Sequence, residues 1–215
     1  MKIISFLLPV LFIMAECSDS PDYITSPSPN QNNGQTNTGS ENVGCPNTEY
    51  PNWKSSPYVL PYPVDTEYRT DLSQCSGSYH GEGEPDQFAT DFNMSIGTII
   101  TASRPGTVVQ VEERGVDFQF PNNLVIIEHN DGTFAQYMHL TLNGATVEIG
   151  DIIEKGDTIG KSGATGLAGY PHLHFVVTRA GSWQYPYESI PHNFSNTDPN
   201  PRGLKKNTRY RANSY

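Results

Sequence analysis

The chain has 215 residues and a formal net charge of −10, from 13 Lys and Arg against 23 Asp and Glu. Such an acidic composition lacks the basic surface that nucleic-acid binding needs, so we expect no nucleic-acid partner. With only 6 His and 3 Cys, metal or redox chemistry must depend on few side chains.

The N-terminal residues predict export. An almost wholly apolar run covers residues 3–14 and is soon followed by Cys17. The run is shorter than the roughly 20 residues that a membrane-spanning helix needs, and a cysteine after such a run is typical of bacterial lipoprotein signals. We therefore predict a lipoprotein-type signal peptide over residues 1–16, a location in the periplasm or cell envelope, and membrane anchoring through lipidated Cys17. Export without lipidation is the alternative.

The next segment, residues 17–44, consists mainly of Ser, Pro, Asn, Thr and Gly, with hardly an apolar side chain. Such a composition cannot bury enough surface to offset the conformational entropy lost on ordering. We therefore predict a disordered tether that separates the folded domain from a membrane anchor.

The cysteines predict one disulfide. If Cys17 carries lipid, Cys45 and Cys75 remain as a pair, and an exported protein meets an oxidising compartment. Two free thiols are the alternative. No cysteine has metal-site spacing, so metal chemistry must come from His and carboxylate side chains.

Short runs of β-forming residues dominate residues 45–198, which we predict to be one domain. Turn signals separate the runs, for example Arg104-Pro105-Gly106 and Asn130-Asp131-Gly132, and no long segment has the 3.6-residue period of a helix. The pattern predicts an all-β fold of antiparallel sheets, arranged as a roll or sandwich with few or no helices. The predicted strands cover residues 98–102, 106–111, 124–129, 134–139, 147–149, 157–159 and 174–178.

The last segment, residues 199–215, is a basic C-terminal tail. It carries five Lys and Arg residues and no acidic residue. A run of charges of one sign favours a solvated extension.

Two of the histidines, His172 and His174, lie two residues apart in an apolar, strand-like run. Alternate residues of a strand share a face, so both rings point the same way. Such a pair suits a metal site, in which one imidazole binds the ion and the other handles protons. A surface or core pair without function is the alternative. Of the remaining histidines, we expect His129 to be structural and His192 to be exposed.

Three further residues could complete a site. Asp91 lies among apolar neighbours, which would bury its carboxylate and so call for a cation partner. His80 precedes it, beyond a glycine-rich loop that can fold back. His139 ends the alternating run of residues 134–139, and this alternation predicts that Tyr137 shares its face.

The order of these residues resembles the M23 family of zinc endopeptidases, also called LytM or lysostaphin-like domains. Short segments similar to those of the family occur from about residue 56 to 195. The similarity implies the LytM-type β-roll sandwich, also described as a duplicated hybrid motif. The matching segments are Ser56-Pro-Tyr-Val-Leu-Pro61, Ala89-Thr-Asp-Phe-Asn-Met94, Tyr137-Met-His139-Leu140, Gly160-Lys-Ser-Gly-Ala-Thr-Gly166 and His172-Leu-His174-Phe175.

The resemblance also implies roles for individual residues. His80, Asp91 and His174 would bind one Zn²⁺ per domain, and His139 and His172 would flank the water that the zinc activates. The implied function is hydrolysis of peptide bonds in bacterial cell-wall peptidoglycan, whose peptides would be the partner. The alternative is a non-catalytic LytM-like module that binds and activates a cell-wall amidase.

Two positions depart from the common pattern of that family. Many members place the first ligand four residues before the aspartate, where this chain has Gln87; the longer spacing from His80 resembles other members. Tyr170 stands two residues before His172, where the family commonly has glycine. Its side chain could line a substrate groove or simply fill space.

Overall fold

The computed structural model describes residues 43–215. The predicted signal peptide, Cys17 and nearly all of the predicted tether lie outside these residues. Within the described range, no helix has the length and apolar character needed to cross a membrane.

Regular structure in residues 43–215 consists of eleven strands and one 3-10 turn, which confirms the all-β prediction. The turn is Trp53–Ser55, and the strands are β1 Glu67–Leu72, β2 Thr90–Asn93, β3 Ile99–Thr101, β4 Gly106–Glu112, β5 Leu124–Glu128, β6 Phe134–Met138, β7 Leu140–Ala145, β8 Ile152–Ile153, β9 Thr158–Ser162, β10 His172–Thr178 and β11 Thr208–Arg211.

Two antiparallel sheets enclose the main hydrophobic core. Eight strands form one sheet in the order β11-β1-β2-β10-β6-β5-β4-β8, and β3, β9 and β7 form the other in that order. Core residues come from both sheets, for example Val125 and Phe175 from the large sheet and Ile100 and Ile159 from the small one. The second face of the large sheet carries a smaller apolar cluster and remains available for a site.

Strand β10 lies inside the large sheet, between β2 and β6. All of its residues are buried. Leu173, Phe175 and Val177 belong to the main core, so His172 and His174 point to the opposite face, as the alternation predicts.

The C-terminal residues are part of the large sheet, so the prediction that residues 199–215 form a solvated extension is wrong. Strand β11 pairs with β1, and Tyr210 joins the main core. Two of the basic residues lie near carboxylates in or just before β1: Arg211 is 2.9 Å from Asp65, and Arg209 lies near Glu67. The basic edge strand is therefore paired and partly neutralised, which composition alone does not reveal.

The predicted disulfide between Cys45 and Cys75 is present, with Cα atoms 4.9 Å apart. Cys75 lies in the long loop between β1 and β2, and its backbone N–H donates to the Gln87 carbonyl at 2.7 Å. The bond thus ties residues near the start of the described range to the loop that carries His80.

Replacing both Cys45 and Cys75 with serine should lower the free energy of unfolding by about 3–4 kcal/mol, because the bond closes a loop of 30 residues in the unfolded chain. Urea unfolding followed by tryptophan fluorescence measures this change. Dithiothreitol provides the matched control: it should destabilise the wild-type chain similarly and leave the double-serine variant unaffected. Equal stability of the two proteins without reductant would contradict the prediction.

Candidate metal centre

The centre of the candidate site is a cross-strand pair. In the register between β2 and β10, His174 lies directly opposite Asp91. The His174 Nδ1 atom is 2.9 Å from Asp91 Oδ1, and His80 Nε2 is 3.4 Å from the same oxygen. All three side chains are buried. Two imidazole nitrogens and a carboxylate oxygen thus converge closely enough to hold one metal ion.

His80 reaches this point from the loop between β1 and β2. Its backbone N–H donates to the Gly77 carbonyl at 3.2 Å, and its ring packs edge to face on His174 with centroids 5.2 Å apart. Its Nδ1 atom is buried and has no hydrogen-bond partner among the described residues. Gln87, at the common ligand position of the resembled family, instead accepts a hydrogen bond from Gly83 N–H.

His139 faces the same site from the turn that follows β6. Its φ angle is +65°, a left-handed conformation that is uncommon for residues other than glycine. Its backbone N–H donates to Asn122 Oδ1 at 3.0 Å, and its ring Nδ1 donates to the Thr165 carbonyl at 2.7 Å. Gly166 packs so closely on Asn122 that a Cβ atom there would lie 2.6 Å from the Asn122 Cβ. Two other loops, which carry Asn122 and Thr165, therefore position His139.

The prediction that Tyr137 shares a face with His139 is wrong. Tyr137 belongs to the main core, where its hydroxyl oxygen accepts a hydrogen bond from Ser103 N–H at 2.8 Å. The left-handed backbone at His139 breaks the strand alternation between the two residues.

His172 lies beside His139, with ring centroids 4.7 Å apart. Its Nδ1 is 2.8 Å from the Tyr170 carbonyl, and the Tyr170 ring stacks on it at 4.6 Å. A carbonyl oxygen only accepts hydrogen bonds, so Nδ1 carries the proton in neutral His139 and in neutral His172. The Nε2 atom of each ring then keeps a free lone pair. Tyr170 both lines the groove and supports the ring.

The charges of the site are strongly coupled. Burial alone would raise the pKa of Asp91, but hydrogen bonds from His174 and His80 outweigh it, and the pKa is lowered. Burial alone would lower the pKa of His174, but the carboxylates of Asp86 and Asp91 raise it to about 10. Burial and the neighbouring histidines lower the pKa of His139 to about 3. The site therefore holds an ionised carboxylate and a neutral His139 at pH 7.

Within residues 43–215, two sets of residues could hold a metal ion, and they share His174. One is His80, Asp91 and His174, and the other replaces the first two with His139 and His172. The first set suits zinc better because it includes the buried carboxylate, which needs a cation partner, and supplies three ligands with a fourth position left to water. This set leaves the Nε2 atoms of the other two histidines free.

Asp86 and Tyr187 also belong to the site, and sequence reasoning missed them. Asp86 Oδ1 lies 3.1 Å from His174 Nε2, and the Tyr187 hydroxyl donates to the same oxygen at 2.5 Å. Tyr187 lies in the segment after β10, far from Asp86 in the chain. No local pattern relates these residues, so no sequence signal could have brought them together.

A cavity of about 1230 Å³ opens over the histidines. Its walls are mainly apolar and include Phe120, Leu124, Met138, Trp183 and Tyr185. An apolar groove that ends at a cluster of titratable residues is the usual form of a binding site. A peptide in extended conformation could lie along it.

Comparison with known proteins identifies relatives of this arrangement. Residues 86–186 match the family model Peptidase family M23. Glycyl-glycine endopeptidase ALE-1 of Staphylococcus capitis is 33% identical over 131 residues, covering 60% of this chain and 32% of that protein. Peptidoglycan DD-endopeptidase ShyA of Vibrio cholerae is 32% identical over 122 residues, covering 56% of this chain and 27% of that protein. The chain thus spans about a third or less of the length of these relatives.

A solved structure shares the fold. The deep-sea protein pseudoalterin, described as a novel M23 metalloprotease, superposes with a TM-score of 0.50 at 17% identity. The superposition covers 74% of this chain and 96% of that one.

Two histidines lie away from the site. His129 is buried, and its Nδ1 lies 2.7 Å from the Pro105 carbonyl. The prediction that His192 is exposed is wrong: its ring is 1% exposed and packs edge to face on Phe175 and Phe194. Burial lowers the pKa of both rings to about 4.

Acid should destabilise the domain through His129 and His192. Between pH 6.5 and 4, the unfolded chain binds protons on these rings and the folded chain does not, so the free energy of unfolding falls as the pH is lowered. The positive charge of Arg104 lowers the pKa of His129 and the negative charge of Asp131 raises it, but burial has the largest effect on this pKa. The loss should approach about 2–3 kcal/mol per ring.

Urea unfolding at pH 7, 5.5 and 4.5, with a chelator present throughout, measures this loss. The double variant His129→Gln/His192→Gln should lose less free energy of unfolding over this pH range than the wild-type chain. An identical dependence in both proteins would contradict the prediction.

Proposed function

We propose that this chain is a zinc-dependent endopeptidase of the M23 family, because residues 86–186 match the model of peptidase family M23. Its proposed substrate is the peptide part of bacterial cell-wall peptidoglycan. The name of the relative ShyA, a peptidoglycan DD-endopeptidase, supports this choice. The observation that carries the proposal is the convergence of His80, Asp91 and His174 beside two histidines whose Nε2 atoms are free.

One zinc ion would be held by the two imidazoles and the carboxylate of this set. Bound zinc lowers the pKa of a water molecule toward about 7 and polarises a carbonyl oxygen. Two imidazole ligands in their neutral form and one ionised carboxylate would give the loaded site a net charge of +1, which would favour both effects. All three residues line the groove, so a peptide bound there would lie beside them.

His139 and His172 are the proposed proton carriers. Burial lowers the pKa of both rings, so both are neutral at pH 7 and can accept a proton. Each Nδ1–H donates to a backbone carbonyl, so each Nε2 can hold the attacking water and take its proton. A ring protonated in this way can then donate to the leaving amine nitrogen or to the developing oxyanion.

The Cys45–Cys75 disulfide supports an exported protein, because structural disulfides persist in oxidising compartments. We therefore propose that the enzyme acts in the periplasm or cell envelope. Membrane anchoring through lipidated Cys17 falls outside residues 43–215 and stays a prediction.

Two histidine variants test the proposed division of roles. His174→Ala should lose both zinc and activity, because it removes a ligand. His172→Ala should keep one zinc per chain and lose activity by about 10²–10⁴-fold, the usual contribution of a positioned proton carrier. Metal analysis and release of soluble fragments from purified peptidoglycan measure the two properties. His129→Gln, a buried histidine outside the groove, is the matched control and should keep both.

A wild-type chain that binds no zinc and releases no fragments would contradict the proposal. The same chain would then be tested for stimulation of a cell-wall amidase, the activity expected of the non-catalytic LytM-like alternative. Loss of zinc in His172→Ala would instead show that the metal occupies the set formed by His139, His172 and His174.

A further inference from the structure

His174 is the residue that the two candidate metal sets share, and its ring is engaged on both sides. Nδ1 faces Asp91 Oδ1 at 2.9 Å, and Nε2 faces Asp86 Oδ1 at 3.1 Å. A neutral imidazole carries one proton, so only one nitrogen can offer a lone pair to a metal ion. Whichever nitrogen keeps the proton therefore decides whether His174 can bind a metal ion on the side of Asp91 and His80.

We propose that Asp86, held by Tyr187, fixes the proton of His174 on Nε2 and thereby directs the metal ion to Nδ1, beside Asp91 and His80. Asp86 is a positioning residue in this scheme, since it touches a ligand and neither metal nor substrate. The inference rests on the proposed function, because it assumes that zinc is bound.

The hydrogen-bond geometry at Asp86 supports this role. The Tyr187 hydroxyl donates to the same Oδ1 atom that faces His174, at 2.5 Å. Burial and the charge of Asp86 raise the pKa of Tyr187, so its hydroxyl stays protonated and can only donate to that oxygen. The shared oxygen is therefore an acceptor for both neighbours, and His174 Nε2 must be the donor.

The surroundings hold Asp86 in place. Its own carbonyl accepts a hydrogen bond from Ala89 N–H at 2.8 Å, in the turn that leads directly into β2. Tyr187 is buried in the small apolar cluster with Ala89, Met138 and Val176. The carboxylate is thus fixed both through the backbone, near Asp91, and through a packed side chain from the other side of the groove. Hydrogen bonds of this kind to a metal-binding histidine orient the ring and make it a stronger ligand.

Zinc affinity of the purified full chain tests this role without relying on activity. Competition with a chelator of known affinity should give a dissociation constant about 10–100-fold weaker for Asp86→Ala than for the wild-type chain. The matched control is Glu84→Ala, which removes a carboxylate from the same loop. Glu84 is exposed, and its side chain forms no hydrogen bond or ion pair with a described residue, so its variant should match the wild-type chain within twofold.

A double-variant comparison separates positioning from simple packing. Tyr187→Phe keeps the packed ring, removes the donor to Asp86, and should weaken zinc binding several-fold. In the Asp86→Ala background, the same substitution should cause no further loss, because the residue it positions is gone. Additive losses would mean that Tyr187 acts independently of Asp86 and would overturn the proposed pathway.

Nitrogen-15 NMR of the zinc-loaded chain reads the tautomer of His174 directly. The wild-type spectrum should have a proton on Nε2 and none on Nδ1, and a proton on Nδ1 instead would overturn the inference. Asp86→Asn, which replaces the carboxylate with a neutral amide, takes the place of Asp86→Ala in the zinc competition if the alanine variant does not fold. Unchanged zinc affinity in the Asp86 variants, or equal losses in Asp86→Ala and Glu84→Ala, would overturn the inference. If these results came with an active, zinc-loaded wild-type chain, the proposed function would still stand. A wild-type chain that binds no zinc would overturn both.

Discussion

The pair formed by Asp91 and His174 across β2 and β10 is the contact on which the site depends. Asp91 is 4% exposed, and an ionised carboxylate so deeply buried is costly unless donors or cations surround it. The strand register supplies His174 from one side, and the loop before β2 supplies His80 from the other. Without a proton or a metal ion between these groups, the carboxylate would be uncompensated. Metal binding and the local stability of the sheet are therefore linked.

Strand β10 serves the core and the site at once. Leu173, Phe175 and Val177 bury their side chains between the sheets, and each such residue contributes about 1.5–3 kcal/mol. The same backbone pairs with β2 and β6, so its position is fixed on both edges. The backbone of the two histidines on its other face is therefore fixed as well. A site built on a central strand needs less support from loops than one built on loops alone.

Local patterns in the sequence predict the features that depend on near neighbours. Alternation along one strand correctly places His172 and His174 on a common face, and the short β-forming runs separated by turn signals correctly predict an all-β fold. The pairing of β2 with β10 joins residues about 80 positions apart, so no periodicity reveals it. His139 fails the alternation because of a left-handed turn, which is held by Asn122 from another loop. Strand β11 was missed because its partner strand, and not its own composition, determines whether it is solvated.

The four histidines of the site differ in the group that contacts the ring nitrogen pointing away from the proposed metal and water positions. His139 and His172 donate to backbone carbonyls, which are neutral, and His174 faces the Asp86 carboxylate, which makes it the more basic ligand. Nδ1 of His80 has no such partner among the described residues, so its ring is held mainly by packing and by its loop. That loop is constrained covalently through the nearby disulfide. Packing and a loop held by a disulfide therefore position His80, whereas a hydrogen-bonded carboxylate positions His174.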